Sequence, residues 1–150
     1  MKIYRFIPTE QDMLAIAATV AKHCFPGTSI YLEGNLGAGK TTFVRGFLRS
    51  LGYRENVKSP TYTLVELYEL GSLQVYHLDL YRLDNELDLE HIGLSDYLTS
   101  TAICLIEWPE KAKNLLPTPS LHCRIEIKTG GRAICFMSQD QRGDAMLSGI

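Results

Sequence analysis

A strong excess of charge of either sign is missing from this chain, and so are long hydrophobic runs. Its 150 residues contain 15 lysines and arginines against 17 aspartates and glutamates, which gives a formal net charge of −2 at pH 7. A protein whose main affinity is for bare nucleic-acid backbone usually carries a basic excess. The balance therefore argues against DNA binding and favours protein partners as the route to any nucleic acid.

Cysteine pairs with metal-ligand spacing are also missing. None of the four cysteines forms a Cys-x-x-Cys pair, and the histidines lack metal-ligand spacing. Three of the four lie in apolar, strand-like contexts, so we interpret Cys24, Cys104, Cys123 and Cys135 as reduced thiols of the core. Neither a signal peptide nor a span of about 20 apolar residues is present. We therefore expect no zinc site, no membrane contact and a cytoplasmic location.

Apolar residues make up 45% of the chain and are spread along nearly all of it. A chain of this length can bury one core, so we predict a single domain over residues 1–138. From residue 139 onward the pattern predicts a flexible C-terminal tail.

The most informative stretch is residues 34–41, which read Gly-Asn-Leu-Gly-Ala-Gly-Lys-Thr, a complete Gly-x-x-x-x-Gly-Lys-Thr phosphate-binding loop. An apolar strand-like run, residues 29–32, precedes it, and a helix-like run, residues 42–48, follows it. The glycines let the backbone wrap a phosphate closely, and the positive end of the helix favours the phosphate charge. The sequence therefore predicts a nucleotide-binding protein.

The two polar side chains that end the loop have predicted roles. We expect Lys40 to reach the β- and γ-phosphates of the nucleotide and the Thr41 hydroxyl to bind Mg²⁺. The other phosphate contacts are predicted for the residues around them, namely Asn35, Leu36, Gly37, Ala38, Gly39 and Thr42.

The rest of the chain alternates strand-like and helix-like runs. Residues 102–107 are uninterruptedly apolar up to Glu107, as is typical of a central parallel strand buried on both faces. The connections at residues 71–72 and 129–131 predict antiparallel hairpins. We predict an α/β, phosphate-loop NTPase-like fold, a three-layer sandwich with a mixed, mainly parallel sheet. The predicted strands are residues 3–7, 29–32, 62–70, 73–80, 102–107, 121–128 and 132–137. The predicted helices are residues 10–24, 42–51 and 110–115, with a helical region over residues 84–97 that is interrupted or capped at Gly93.

Enzymes with this loop need a second protein contact to Mg²⁺ or its water shell, usually an acid that ends a buried strand. Glu107 is our candidate for that contact, and Asp79 is the candidate for orienting the attacking water or a metal-bound water. Thr61 is the candidate switch residue that senses the γ-phosphate. Plainer alternatives stay open: a helix-capping or surface acid for Glu107, a surface acid paired with Arg82 for Asp79, and an ordinary loop residue for Thr61.

No arginine is an obvious arginine finger. Arg45, Arg82 and Arg132 are possible donors to transition-state charge or to the nucleotide, although each is more simply a surface or ion-paired arginine. We therefore expect slow hydrolysis by the protein alone, with a partner completing the site. Trp108, the one tryptophan, is expected to report on the nucleotide, to meet a partner or simply to pack.

Four segments together resemble the TsaE family, the phosphate-loop ATPases of bacterial tRNA threonylcarbamoyladenosine (t6A) biosynthesis. They are residues 32–42 (LEGNLGAGKTT), 59–65 (SPTYTLV), 77–83 (HLDLYRL) and 106–110 (IEWPE). The loop alone is unspecific, but the order and spacing of the other three segments make the match specific. The resemblance covers about residues 30–115.

The resemblance implies an ATPase that uses ATP and Mg²⁺ and assists the partner proteins TsaB and TsaD. Those partners install threonylcarbamoyl on the adenosine at position 37 of tRNAs that read ANN codons, so contact with tRNA is expected to be indirect. At matching positions the resemblance implies phosphate and Mg²⁺ contacts for Lys40 and Thr41, the second Mg²⁺ contact for Glu107, support of hydrolysis for Asp79 and the switch role for Thr61.

The adenine contacts of the family come partly from the start of the first helix and from the C-terminal hairpin. The resemblance therefore implies adenine contacts for Thr9 and Arg132.

Three other functions stay open. A small-molecule kinase shares the loop but usually needs a mobile basic lid, and the long candidate, residues 84–97, is acidic. A guanine-nucleotide switch is disfavoured because the Asn-Lys-x-Asp segment that reads guanine is absent from the sequence. A non-hydrolysing ATP-binding adaptor, in which ATP only orders a partner-binding surface, is separated from an ATPase by turnover in the assembled complex.

Overall fold

The computed structural model describes residues 1–60, 62–99 and 101–150. Within these ranges the chain forms strands and helices in alternation. The strands are β1 (Lys2–Ile7), β2 (Ser29–Glu33), β3 (Val65–Leu70), β4 (Leu73–Asp79), β5 (Ala102–Glu107), β6 (Leu121–Lys128) and β7 (Gly131–Ser138). The helices are α1 (Glu10–Lys22), α2 (Lys40–Ser50), α3 (Leu87–His91), α4 (Leu94–Tyr97) and α5 (Gln141–Leu147), and a 3₁₀ turn spans Pro109–Ala112.

The strands form one sheet in the order β1-β7-β6-β2-β5-β4-β3. Strands β6, β2, β5 and β4 pair in parallel, and antiparallel pairs with β7 and β3 extend the sheet at its two ends. Because β1 pairs antiparallel with β7, five of the seven strands point the same way. The predicted mixed, mainly parallel sheet is confirmed, and so is the central place of β5, whose six residues are all buried.

Helices cover the parallel part of the sheet on both faces, because alternate residues of its central strands face opposite layers. Leu105 of β5 packs into a core that it shares with α1, α2 and α5, whereas Ile106 packs with α3, α4 and the 3₁₀ turn. Phe43 and Phe47 of α2 are fully buried in the first of these cores. The three-layer α/β sandwich predicted from the sequence is thus the observed fold.

Several predicted bounds shift. Strand β3 begins at Val65 rather than at residue 62, because Leu64 has a left-handed backbone (φ 65°) and its N–H donates to Pro60 O, which makes a turn before the strand. The helical region of residues 84–97 is two short helices, and the interruption predicted at Gly93 (φ 75°) is confirmed. The short helix predicted at residues 110–115 is the 3₁₀ turn Pro109–Ala112.

The prediction of a flexible tail from residue 139 is wrong, because α5 packs onto the sheet beside α1. Asp140 caps this helix by accepting a hydrogen bond from Gly143 N–H at 2.8 Å, and Met146 and Leu147 are buried. A Cβ at Gly143 would collide with the carbonyl oxygen of Ser120, so glycine allows the helix to approach β6 closely. Seven helical residues are too few for a clear hydrophobic period.

Candidate functional site

The phosphate loop connects β2 to α2, and its backbone requires glycine at three places. Gly37 and Gly39 have φ values of 79° and 112°, which L side chains rarely adopt. Gly34 has an ordinary backbone, but a Cβ there would lie 2.7 Å from the carbonyl oxygen of Ile125. Gly39 precedes α2 without a side-chain cap, as seen within the described part of the chain. The first N–H groups of α2 are therefore placed to bind an anion.

Lys40, the first residue of α2, is buried with its ammonium folded back onto the loop. Its Nζ donates to the carbonyl oxygen of Gly34 and, at 2.9 Å, to that of Asn35. The same nitrogen lies 4.4 Å from the centre of the Trp108 ring. Burial lowers the pKa of Lys40, and the carboxylates of Glu107, Asp79 and Glu110 oppose that shift. A phosphate oxygen offers this cation a stronger acceptor than a neutral carbonyl.

Glu107 ends β5 with only 2% of its surface exposed, so the alternative of a surface acid is excluded. Its Oε2 lies 2.6 Å from His77 Nε2, and both of its carboxylate oxygens lie 3.4 Å from Thr41 Oγ1. A threonine hydroxyl and a carboxylate side by side are the oxygen ligands that Mg²⁺ prefers. These two side chains therefore fit the Mg²⁺ site predicted from the sequence.

Asp79 ends the neighbouring strand β4, directly opposite Glu107 in the parallel register. Its Oδ1 accepts a hydrogen bond from Tyr81 N–H at 3.0 Å, and its Oδ2 accepts one from Ser59 Oγ at 3.1 Å. Because side chains at the carboxyl ends of parallel strands meet at one edge of the sheet, both acids face the loop. The two predicted acids thus lie on adjoining strand ends.

A single cavity of about 400 Å³ joins the loop to these acids. Its lining includes Leu36, Gly37, Gly39, Lys40, Thr41, Thr42, Ser59, Asp79, Tyr81, Arg82, Glu107 and Trp108. The structure therefore brings together most of the residues that the sequence assigned to phosphate, Mg²⁺ and water. Thr61, the predicted switch residue, lies outside the described residues.

Two residues at this site, His77 and Ser59, have roles that the sequence reasoning missed. His77 is two residues before Asp79 on β4 and so points to the same face, which is the signal that could have found it. Ser59 binds Asp79 through its hydroxyl. For Trp108, packing was one of the alternatives left open by the sequence, and the residue stacks on Tyr81 with ring centres 5.0 Å apart. Its left-handed backbone (φ 59°) costs about 1–2 kcal/mol.

A second, smaller cavity of about 200 Å³ lies on the other side of the loop. Thr9 and Arg132, the two residues implied in adenine contacts, both line it together with Gly37, Ala38, Gly39 and Thr42. Thr9 also caps α1, since its hydroxyl accepts from Asp12 N–H at 3.2 Å. The Arg132 guanidinium donates to the loop itself, from Nε to Ala38 O and from Nη2 to Gly37 O, each at 3.1 Å.

The two remaining arginines considered from the sequence also have contacts. Arg45 forms an ion pair with Glu10 at 2.8 Å, and it points toward α1 rather than toward the large cavity. Arg82 lines the large cavity and lies over the Tyr62 ring at 4.7 Å.

In this chain a phosphate loop lies between the central parallel strand β2 and helix α2, and acids end the next two strands in the sheet order, β5 and β4. This arrangement defines the class of phosphate-loop α/β proteins. Within that class, a family model described as "Threonylcarbamoyl adenosine biosynthesis protein TsaE" matches residues 7–134. The chain belongs to the TsaE family.

Individual relatives agree with the family model. The chain is 41% identical over 149 residues to the tRNA threonylcarbamoyladenosine biosynthesis protein TsaE of Haemophilus influenzae, a match that covers 96% of this chain and 94% of the relative. It is 40% identical over 135 residues to the protein of the same name from Bacillus subtilis, covering 88% and 83%. The crystal structure of YdiB from Bacillus subtilis superposes with a TM-score of 0.83 at 31% identity, covering 97% of this chain and 91% of that one.

Across the described residues, no helix is both long and apolar enough to cross a membrane.

Proposed function

We propose that this member of the TsaE family binds ATP with Mg²⁺ and hydrolyses the ATP in support of t6A modification, acting on a complex of TsaB and TsaD. The modified nucleoside would be the adenosine at position 37 of tRNAs that read ANN codons, and tRNA would be reached through the partners. The observation that carries the proposal is the single cavity in which Lys40 and Thr41 of the loop meet Asp79 and Glu107.

Each of these side chains has a role that its position supports. Lys40 exchanges its loop carbonyls for oxygens of the β- and γ-phosphates. Thr41 and Glu107 would hold Mg²⁺, which when bound neutralises charge on the phosphate oxygens. His77 holds the Glu107 carboxylate beside Thr41 through its 2.6 Å contact. Loop N–H groups bind phosphate oxygens from the opposite side.

Asp79 would orient the attacking water. The water oxygen attacks the γ-phosphorus, the bond from that phosphorus to the β,γ-bridging oxygen breaks, and the products are ADP and inorganic phosphate. The bonds from Ser59 and Tyr81 fix the Asp79 carboxylate, so it can accept a hydrogen bond from water in a defined direction. The proton that the water loses ends on the released phosphate or in solvent.

We propose partner-dependent turnover because the three arginines considered above have other contacts. Arg132 is engaged by loop carbonyls and Arg45 by Glu10, and Arg82, which lines the cavity, lies over the Tyr62 ring at 4.7 Å. A partner that supplied a cation over the transferring phosphate would raise the rate, as arginine fingers do. We therefore propose weak hydrolysis by the chain alone and faster hydrolysis with TsaB and TsaD, in the cytoplasm.

The test measures Mg²⁺-dependent release of phosphate from ATP by the purified protein, alone and with a TsaB–TsaD preparation. Glu107→Gln removes the buried acid, and Glu69→Gln on the exposed face of β3 is the matched control. We expect stimulated turnover that Glu107→Gln abolishes and Glu69→Gln retains. ATP binding and complex formation without turnover would instead favour the adaptor, and phosphoryl transfer to a small molecule would favour the kinase.

A further inference from the structure

We propose that Arg132 is a positioning residue that holds the phosphate loop in its phosphate-binding shape before a nucleotide arrives. The inference rests on the proposed nucleotide-binding function and assigns Arg132 a role other than the adenine contact that the resemblance implies. Its guanidinium is bonded to two successive carbonyls of the loop, those of Gly37 and Ala38.

The direction of these bonds matters because a trans peptide unit is planar, with its carbonyl and its N–H on opposite sides. Fixing the carbonyl of Ala38 points the N–H of Gly39 away from Arg132. Fixing the carbonyl of Gly37 points the N–H of Ala38 away as well, and this N–H closes a turn onto Asn35 O at 3.0 Å. Arg132 therefore sets the orientation of two consecutive peptide units from outside the loop.

Arg132 is itself held by the sheet. It pairs with Ile7 of β1 and with Ile127 of β6, and its Nη1 donates to Gly131 O at 3.0 Å. A Cβ at Gly131 would collide with the carbonyl oxygen of Ile7, so the start of β7 fits tightly against the end of β1. The guanidinium thus links three paired strands to a loop whose Gly37 and Gly39 have little conformational preference of their own.

Geometry also explains why arginine suits this position. A guanidinium presents donors in a planar fork, which can reach two carbonyl oxygens at once, whereas a lysine ammonium is a single point on a flexible stem. A side chain that only stacked on a base would not need this fork. The bonds to the loop predict that Arg132 affects phosphate affinity regardless of what is attached to the phosphate.

The test compares binding of ATP with binding of inorganic tripolyphosphate, which has no base, both with Mg²⁺ by titration calorimetry. The variants are Arg132→Ala and Arg132→Lys, and Arg5→Ala on the exposed edge of the sheet is the matched control. We expect Arg132→Ala to weaken both ligands by a similar factor of about ten or more, Arg132→Lys to weaken them less, and Arg5→Ala to leave both unchanged. In the ligand-free protein, amide hydrogen exchange of residues 34–40 should quicken in both Arg132 variants.

The outcomes separate this inference from the proposed function. If the unaltered protein binds ATP but Arg132→Ala weakens ATP alone and leaves tripolyphosphate and loop exchange unchanged, Arg132 is a base contact and the inference is overturned. If the unaltered protein binds neither ligand, both the proposed function and the inference fail. Should Arg132→Ala not fold, the graded loss in Arg132→Lys decides by the same two measurements.

Discussion

Replacing His77 by leucine should destabilise the protein mainly by leaving the Glu107 carboxylate buried without its closest partner. His77 is fully buried, and Glu107 is 2% exposed, with 2.6 Å between Nε2 and Oε2. His77 Nδ1 has no hydrogen-bond partner among the described residues. We therefore assign the ring proton to Nε2, so that His77 donates to the carboxylate. Leucine is similar in size to histidine, so the substitution creates only a small cavity.

The magnitude follows from how a broken buried pair behaves. Removing the hydrogen-bond partner of a buried polar group costs about 1–3 kcal/mol, and more where the group left behind is charged. Thr41 Oγ1 at 3.4 Å and the nearby Lys40 ammonium partly compensate the charge of Glu107, so a loss of about 3 kcal/mol is expected. For a chain of this size, that loss lowers Tm by about 6–12 °C. In a Glu107→Gln background the carboxylate is gone, and the same change should cost only about 1 kcal/mol.

Urea unfolding of the four proteins of this cycle measures the coupling directly. We expect His77→Leu and Glu107→Gln to be coupled by about 2 kcal/mol. His122→Leu is the control, because His122 Nε2 lies 2.8 Å from Glu33 in a pair whose side chains are 23% and 30% exposed, without hydrogen-bond geometry. It should cost less than about 1 kcal/mol. If the losses in unfolding free energy of His77→Leu and Glu107→Gln add within about 0.5 kcal/mol, the reasoning is refuted. Additivity would mean that His77→Leu does not leave the Glu107 carboxylate buried without a partner.

Three further predictions concern packing and thiol chemistry. Gly46→Ala should destabilise the folded protein by about 1–2 kcal/mol, because the alanine Cβ would lie 2.6 Å from the carbonyl oxygen of Leu14. This cost outweighs the better helix propensity of alanine. Thermal unfolding measures the change, and an increase in Tm would contradict the prediction. Deleting residues 139–150 should lower the free energy of unfolding by about 3 kcal/mol or more, because Met146 and Leu147 are buried; unchanged urea unfolding would show that α5 contributes nothing. Burial raises the pKa of Cys104 and of Cys24 to about 12, so about one thiol in ten thousand is ionised at pH 8. Iodoacetamide should therefore label both cysteines only after the protein unfolds. Mass spectrometry measures the labelling, and rapid labelling of the native protein would contradict this prediction.

The sequence predicted the parts of the site that local pattern controls. The run of apolar residues before Glu107 predicts a central strand, and a residue that ends such a strand must face the carboxyl edge of the sheet. The spacing of glycines predicts the loop conformation because only glycine tolerates its φ values.

Other parts depend on long-range pairing, which local pattern does not show. The alternation of β4 places His77 on the same face as Asp79, but its contact with Glu107 also requires β4 and β5 to pair in a particular register. That pairing joins residues 30 positions apart in the chain, and local pattern does not show it. The same holds for Arg132 and the loop, which lie 94 positions apart at Ala38. Helix α5 was missed because its two buried apolar residues gain their partners only when the sheet is complete.

The loop is bonded from two sides, and this bears on how it binds phosphate. From within, Lys40 donates to the carbonyls of Gly34 and Asn35, and from outside Arg132 donates to those of Gly37 and Ala38. A nucleotide has to displace only the hydrogen bonds from Lys40. The hydrogen bonds from Arg132 go to carbonyls that point away from the N–H groups of the same peptide units, so the phosphate does not compete for them. The entropic cost of ordering the loop backbone, about 1–2 kcal/mol per residue, is then incurred during folding rather than during binding. Ligand affinity should therefore depend on Arg132 even though the two need not touch.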